Sequence, residues 1–558
     1  MGDGIGVGGS PSPAGSRLGS SNDTLARRPP QPERDSADSA ASPMISDVAG
    51  SPSRFVTLFD VSDDLKAQGL LTPRKKKSRF KSRPGPEAAG GPSTLVEFLA
   101  WPSQRLEDIA RLDHHYVRRM QTALAHGVVL TSSYSGLGSA EFALGMLAKL
   151  QGSAKVVVYS ACENDKIAQR CLRGHTGPTK PRHIFADILH RVPSAKRTQL
   201  KSMVAKALEQ FAEERGKSPE SNKWRQRLGE RGASLRRALL DAMKGVELHK
   251  RAWCVVHNSY CPTNPRADPD LKNYIHIEAA SNTCTPWSSS GNFFKWMDAH
   301  TLVVLAWALL ARSLVPDAIL NECTPAFEPQ KLHAEIIDQD ETEDMYAFMT
   351  WVHDATEAGL PVSRKRRWSL WLKKARFDVP QGTTFFTEAF RKSLMSSAEI
   401  FMCAPPEMLR DYFIDMLAKK LKLPSGMVRT WEANNHEWEH ALPAALRMRL
   451  LGFRRVAQEN GLRDDAGHWT PRVRVAICDL SQDIAFTDAV KTESCMALKR
   501  NSELFDMVAN RMVHPYEHLL MQGFPVPGLV DNFMSAAFPF KSVLPDLKYN
   551  QVRQLAGN

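Results

Sequence analysis

Cys284 and Glu322 are the two residues of this chain best suited to covalent chemistry. Cys284 lies in the stretch Asn282-Thr283-Cys284-Thr285-Pro286-Trp287-Ser288-Ser289-Ser290-Gly291, a loop of small polar residues after an apolar run near Ile275–Ala280. A cysteine on such a loop, at the carboxyl edge of a sheet, is where a nucleophile would sit, and its thiolate is the reactive form. An isolated cysteine is by default a small, half-buried packing residue. What argues otherwise is the strand Ala318–Asn321, which ends in Glu322-Cys323-Thr324-Pro325. A carboxylate on a neighbouring strand end could face the same cavity and donate or accept a proton.

A second group of residues could bind a nucleotide-like molecule. Tyr134-Ser135-Gly136-Leu137-Gly138-Ser139 follows Val128-Val129-Leu130-Thr131 after two serines. That is a buried strand ending in a glycine turn that opens a helix. Alone, it is often only a tight connection. Ala161-Cys162-Glu163-Asn164-Asp165 follows the next strand, placing Glu163 to accept hydrogen bonds from ribose hydroxyls. Phe185-Ala186-Asp187-Ile188 follows the third, where Asp187 could accept from an adenine amino group. Either acid alone reads as a helix cap or a solvated loop residue. On successive strand ends behind a glycine turn, they outline an adenosine-shaped pocket.

Cys254-x-x-His257-x-x-x-Cys261 offers three ligands of the zinc-binding type. No convincing fourth ligand lies nearby in the sequence, so these residues are read as ordinary loop packing and no metal is expected.

The elements that must position these groups follow from periodicity. Leu106, Ile109, Leu112, Tyr116, Met120 and Leu124 mark helical spacing over 103–126. Strand and helix then alternate: Val128–Thr131, a helix Ala140–Leu150, strand Lys155–Ser160, a helix from Lys166, and a strand or loop at His183–Ile188. This alternation predicts an α/β fold, a parallel sheet with helices on both faces. Residues 194–250 break the pattern with dense charge and helical spacing (Leu200, Val204, Leu208, Phe211; Leu235, Leu239, Met243). They are expected to form a helical hairpin turning at Lys217–Asn222, packed on the sheet's edge with a basic outer face. The sheet resumes at Ile275, with a helix Leu302–Ser313 and a strand Trp368–Leu372. Expected domains are a disordered basic tail (1–93), a catalytic and cofactor-binding domain (94–374), a smaller α+β domain (375–505) and a return segment (506–558).

Composition narrows the setting. With 558 residues and 42% apolar content, the chain can build more than one core. No stretch approaches the ~20 apolar residues of a membrane span, so no membrane partner is expected, and no secretory signal is visible. The nine cysteines are scattered without framework spacing, which suits reduced thiols. A net charge of +12 favours a polyanionic partner. Arg74-Lys75-Lys76-Lys77, followed by Arg79, Lys81 and Arg83, looks like a nuclear-import signal or a phosphate-contacting arm, so a nuclear location is expected.

Taken in order, these motifs resemble the cytosine-5 DNA methyltransferase family. Further matches follow. Gly359-Leu360-Pro361-Val362-Ser363-Arg364-Lys365-Arg366 resembles the family's Gln-x-Arg-x-Arg signature, with Val362 in place of the Gln. Arg511 through His514-Pro515-Tyr516-Glu517, then Gln522-Gly523-Phe524-Pro525, resembles the block after the target-recognition region. Gln554-Leu555-Ala556-Gly557-Asn558 resembles the closing Gly-Asn motif. Thr283 and Thr285 stand where the family usually has Pro and often Gln.

The resemblance implies a class I methyltransferase sheet with a target-recognition domain, and S-adenosylmethionine as cofactor. The substrate would be DNA, or RNA in a variant reading. Cys284 would be the nucleophile toward a flipped cytosine, Glu322 would hold its amine and ring nitrogen 3, and Arg366 and Arg364 would support the base and the loop. Tyr134, Ser135, Gly136, Leu137, Gly138, Glu163, Asn164, Asp187, Ile188 and Asn558 would surround the cofactor. Arg447, Arg449, Arg454, Arg455, Lys499 and Arg500 are the expected nucleic-acid contacts of the smaller domain. A binding module that keeps the fold without efficient catalysis is the competing expectation.

Overall fold

The computed structural model describes residues 90–557, apart from positions 113, 153, 218–220, 289–292, 338–344, 379–383, 430–437 and 485–489. The expected tail with its basic run, part of the Lys217–Asn222 turn, and Asn558 lie outside the described residues.

Ten strands organise the first part of the chain: β1 (Val128–Ser133), β2 (Val156–Cys162), β3 (His183–Phe185), β4 (Arg251–Cys254), β5 (Ser259–Pro262), β6 (Ile275–Ser281), β7 (Ala318–Cys323), β8 (Tyr346–His353), β9 (Val362–Ser363) and β10 (Arg366–Lys373). Nine of them form one sheet in the order β5-β4-β3-β2-β1-β6-β7-β10-β8. β1 lies parallel between β2 and β6, and the parallel run continues to β3 and β7. β10 then enters antiparallel between β7 and β8. The expected Rossmann-like α/β sheet is therefore present. Its strand order reverses at β1, and in such sheets ligands bind outside the carboxyl ends of the strands at that reversal. All six residues of β1 are buried, as a central parallel strand covered on both faces requires.

Helices Ser139–Leu150, Lys166–Gly174 and His300–Leu314 connect the strands. The last is apolar nearly all round, with Leu302, Leu305, Trp307 and Ala311 at most 2% exposed. Burying each large side chain there contributes roughly 1.5–3 kcal/mol.

The 194–250 segment forms helices Ser194–Lys217 and Ser221–Met243. Leu200, Val204, Phe211, Leu235 and Leu239 join the cluster built on Trp296, Met297 and the helix His300–Leu314. The hairpin thus extends a helical layer, because its apolar stripe matches a helix face and not a strand's open backbone. The edge itself is the β4–β5 hairpin, two strands the periodicity does not reveal.

Further along, helices Pro406–Leu421 and Ala444–Glu459 pack around Tyr412, Phe413, Phe453 and Phe505. A three-stranded sheet joins them: β11 (Ile477–Asp479), β13 (Leu504–Asp506) and β14 (Arg511–Met512), with the short β12 (Cys495–Met496) pairing β9. The helix Tyr549–Ala556 closes the chain beside the helix Pro515–Met521.

Candidate functional site

The ladder between β6 and β7 fixes the two reactive candidates. Ser281 pairs with Glu322, and the Asn282 amide donates to the Glu322 carbonyl at 3.1 Å, so the cysteine loop leaves the sheet beside that carboxylate. On the other side of β7, β10 sets Trp368 opposite Glu322, and the chain entering β10 brings two arginines. Arg366 Nε lies 2.7 Å from Glu322 Oε1, and Arg364 Nη2 lies 3.9 Å from the same oxygen. Arg364 also interacts electrostatically with Cys284. Burial and then the like charge of Arg366 lower the Arg364 pKa, while Glu322 and Cys284 oppose the shift. Cys284, Glu322, Arg364 and Arg366 therefore share one neighbourhood.

The loop that carries the thiol is held from below. Cys284 precedes a single helical turn, Thr285–Trp287, whose last amide donates to the Cys284 carbonyl at 3.0 Å. Pro286 and Trp287 are buried, and the Trp287 ring meets Trp296 and Phe327 edge-on at 4.9 and 5.1 Å. The thiol itself stays exposed. Here the residues after Cys284 anchor the loop, as a Pro before it would otherwise do. Several buried groups nearby keep unused hydrogen-bonding capacity among the described residues, including both side-chain polar atoms of Asn282, Trp287 Nε1, Thr324 Oγ1 and Arg364 Nη1. Buried polar atoms without partners are uncommon and point to a role when a ligand is present. The sequence does not flag Asn282, since an Asn in a polar loop is ordinary turn chemistry.

One strand away lies the glycine turn. Tyr134, Gly136 and Gly138 all take positive φ, at 56°, 55° and 82°, a conformation that favours glycine at the second and third of these positions. A Cβ on Gly136 would meet nothing within 4 Å, whereas one on Gly138 would lie 2.5 Å from His175 Cε1. The first glycine therefore faces open space and the second lets the turn close on His175. The Gly136 amide donates to Glu163 Oε2 and the Asp165 amide to Glu163 Oε1, both at 2.8 Å. Burial raises the pKa of Glu163, against those two bonds. Ser135 Oγ accepts from the Cys162 amide at 3.1 Å, joining the turn to the end of β2. Tyr134 reaches the other way, donating its hydroxyl to the Val303 carbonyl at 2.8 Å. Asp187 caps the turn Ile188–Arg191 by accepting the Leu189 amide at 2.8 Å, and its charge acts on the Tyr134 hydroxyl. Leu137 and Ile188 are buried, while Asn164 is exposed.

Beneath both sets of residues runs a buried polar layer that the sequence gives no reason to expect. Glu278 of β6 accepts from Thr131 Oγ1, from Ser133 Oγ at 2.8 Å and from Trp307 Nε1 at 3.1 Å. His276 Nε2 lies 2.8 Å from Thr131 Oγ1. Glu141 accepts from Ser132 Oγ. Burial pushes the carboxyls of Glu278 and Glu141 each up to about 7.

Most of the expected nucleic-acid contacts have work inside the protein. Arg449 donates to the Leu480 carbonyl at 2.8 Å, Arg454 to Asn510 at 2.9 Å, and Lys499 to Gln482 at 2.7 Å. Arg500 bonds Asp165 at 3.1 Å, tying the second region to the helix after Glu163. Gly557 sits so close to this segment that a Cβ would fall 2.2 Å from the Lys499 carbonyl oxygen. Arg455 is exposed and Arg447 half-buried. The Arg511-to-Glu517 stretch is a structural lock: Arg511 forms two bonds of 2.9 Å to the buried Glu517 carboxylate, which also accepts the His514 and Ala404 amides at 2.8 Å each.

The cysteines expected to be reduced are unpaired in the structure. Cys254, His257 and Cys261, however, do not lack a fourth partner. His183 of β3 stands against them, brought there by the sheet from 71 residues upstream.

No family model matches the chain, and no curated protein matches it. Solved structures do. The chain is similar to the Dnmt2 methyltransferase of S. pombe at 12% identity and a TM-score of 0.35, over 77% of this chain and 93% of that one. It is similar to a putative DNA modification methyltransferase encoded within a prophage of E. coli at 12% identity and a TM-score of 0.34, over 77% and 98%. A third likeness, at 12% identity and a TM-score of 0.31 over 77% and 93%, is to the Entamoeba histolytica methyltransferase EhMeth.

Proposed function

We propose that this chain is an S-adenosylmethionine-dependent methyltransferase that modifies carbon 5 of cytosine in DNA through a covalent cysteine adduct. The observation that carries this reading is the meeting of Cys284, Glu322, Arg364 and Arg366 at the carboxyl edge of the sheet, one strand from the glycine turn. The residues of that turn suit the methyl donor. Gly136 opens onto free space, Glu163 suits the ribose hydroxyls and Asp187 the adenine amine.

In this reading the target base leaves the duplex, and the Cys284 thiolate adds to its carbon 6, forming a C–S bond. Glu322 accepts from the exocyclic amine and donates a proton to ring nitrogen 3, so that negative charge pushed into the ring is neutralised there, and takes that proton back when the ring is restored. Arg366 keeps the Glu322 carboxylate oriented and can turn a donor to the base's carbonyl oxygen. Arg364 stabilises the thiolate before attack and after release. S-adenosylmethionine, when bound, would supply an electrophilic methyl group to activated carbon 5, its sulfur leaving as a neutral thioether with the electrons of the broken S–CH3 bond. Loss of the carbon 5 proton to solvent or a base then expels the thiolate and restores the aromatic ring.

The test is covalent trapping on oligonucleotides that carry 5-fluorocytosine, whose fluorine cannot leave as a proton does, so the thiolate stays attached. Duplex DNA, single-stranded DNA and RNA are compared in the presence of S-adenosylmethionine. The expected result is a denaturant-stable adduct on DNA that disappears in Cys284→Ala. Tight binding without any adduct would establish the binding-module reading instead, and an adduct confined to RNA would overturn the DNA assignment.

A further inference from the structure

Far along the sheet from the cysteine loop, β3 and the β4–β5 hairpin bring together four side chains that the proposed reaction does not use. Cys254 ends β4, His257 lies in the hairpin turn, Cys261 lies on β5 and His183 opens β3. His183 Nδ1 is 3.2 Å from His257 Nδ1. Cys254 Sγ lies 3.8 Å from His183 Nδ1 and 3.4 Å from His257 Nδ1, and Cys261 Sγ lies 3.4 Å from His257 Nδ1. All four atoms fall within 4.8 Å of one another.

Hydrogen bonding alone does not account for this packing. Three atoms, two thiol sulfurs and one ring nitrogen, crowd a single atom, His257 Nδ1. An imidazole nitrogen carries either one proton or one lone pair, so it can satisfy one of the three. A cation at the centre satisfies all of them, since each atom then turns a lone pair inward. Zinc bonds of about 2.0–2.1 Å to nitrogen and 2.3 Å to sulfur put the ligand atoms of a tetrahedron roughly 3.3–3.8 Å apart. The one N···N and three N···S separations agree with the roughly 3.3 and 3.6 Å expected for those pairs to within about 0.2 Å.

We propose that His183, Cys254, His257 and Cys261 form a structural Zn2+ site. Two thiolates and two imidazoles in a tetrahedral set select zinc, and four protein ligands leave no open position for catalysis. Ser259 Oγ, 3.8 Å from Cys261 Sγ, adds the outer-shell support that such ligands usually have.

The fold gives the metal a task. β4 joins β3 through one register pair, Phe185 with Cys254, reinforced by the Val255 amide bonding the Ile184 carbonyl at 2.8 Å. The hairpin brings little apolar surface to the core, for Trp253, Val256 and Tyr260 all face solvent. Binding energy at such a site is folding energy, so the ion would staple an edge hairpin that hydrophobic burial holds weakly. It would also fix β3, the strand that leads into Asp187.

The test uses the full chain, purified without chelators from zinc-supplemented cells, with metal content read by mass spectrometry. The expected value is about one zinc per chain. It should fall at least tenfold in Cys254→Ser and in His183→Ala, and stay unchanged in Cys403→Ser, whose exposed thiol is outside the quartet. Exchange for Co2+ should give the sulfur-to-metal charge-transfer and strong visible bands of a tetrahedral thiolate site. Wild-type protein with under about a tenth of a zinc per chain and no such cobalt spectrum overturns the proposal. So does zinc that survives both ligand substitutions. Should those variants fail to fold, the wild-type metal content and cobalt spectrum decide alone.

Discussion

Replacing Glu278 by Gln should make the protein more stable at neutral pH and leave it little changed in mild acid. In the folded state burial lifts the Glu278 carboxyl from its ordinary 4.5 to about 7. Below about pH 4.5 the folded and unfolded states both hold the proton, and the carboxyl contributes no pH dependence. Between about 4.5 and 7 the unfolded chain releases a proton that the folded chain keeps, so stability falls as pH rises. Above 7 both states are ionised and the penalty is complete. Each pH unit of that window is worth about 1.4 kcal/mol, which gives a total of about 3 kcal/mol. Gln does not titrate, yet its amide oxygen can still accept from Ser133 and Trp307, and its amide nitrogen can donate to Thr131 Oγ1. The assay is urea unfolding of both proteins at pH 5 and pH 8, followed by tryptophan emission, to which Trp307 contributes directly. The expected outcome is a gain of under about 1 kcal/mol for the variant at pH 5 and of about 3 kcal/mol at pH 8. Glu141 titrates in both proteins and largely cancels from the comparison. A difference that stays the same at the two pH values would refute the account of Glu278 as a carboxyl whose charge burial opposes.

Two further substitutions probe the frame around the site. Gly138→Ala places a Cβ 2.5 Å from His175 Cε1 at a backbone φ of 82°, so it should cost about 2–4 kcal/mol, checked by thermal shift, and weaken the proposed binding of S-adenosylmethionine, checked by calorimetry. Glu517→Ala strips the buried Arg511 of both its 2.9 Å partners and should cost about 3–5 kcal/mol; a loss under about 1 kcal/mol in urea unfolding would show that water reaches Arg511.

What the sequence reveals and conceals divides along physical lines. The glycine turn, the alternation of strands and helices, and the loop of Cys284 are local signals, each contained within about ten residues, and they appear where expected. β4 and β8 were invisible for opposite reasons. β4 is four residues long with Trp253 facing solvent, and β8 mixes polar and aromatic positions with no clean alternation. His183 could not be recognised as a partner of Cys254, because only the pairing of β3 with β4 brings them together. The helical hairpin at 194–250 was legible as helices, yet its docking surface was not, since an apolar stripe does not say which neighbour covers it. Ile275-His276-Ile277-Glu278 misleads most. Its alternation suits a strand that turns His276 and Glu278 to water, and the structure buries those two and leaves Ile275 and Ile277 half-buried.

The burial of Glu278 is better explained by register than by stability. Two parallel apolar strands covered on both faces have little to fix their relative position, and a slip exchanges one buried methyl group for another. Thr131 stands directly opposite Glu278 in the β1–β6 ladder, and Ser133 lies two residues further along the same face of β1. A one-residue slip would break both hydroxyl bonds and leave the buried carboxyl with Trp307 Nε1 as its remaining donor, at a cost of about 1–3 kcal/mol for each lost bond. The same slip would carry the Cys284 loop about 3.3 Å along the sheet relative to the glycine turn, because β1 ends in one and β6 in the other. In the proposed reaction a nucleophile and a methyl donor meet over one ring, a geometry that does not tolerate such an offset. The titration penalty of Glu278 is therefore the energetic counterpart of a fixed distance between the turn that would hold the donor and the thiol that would hold the base.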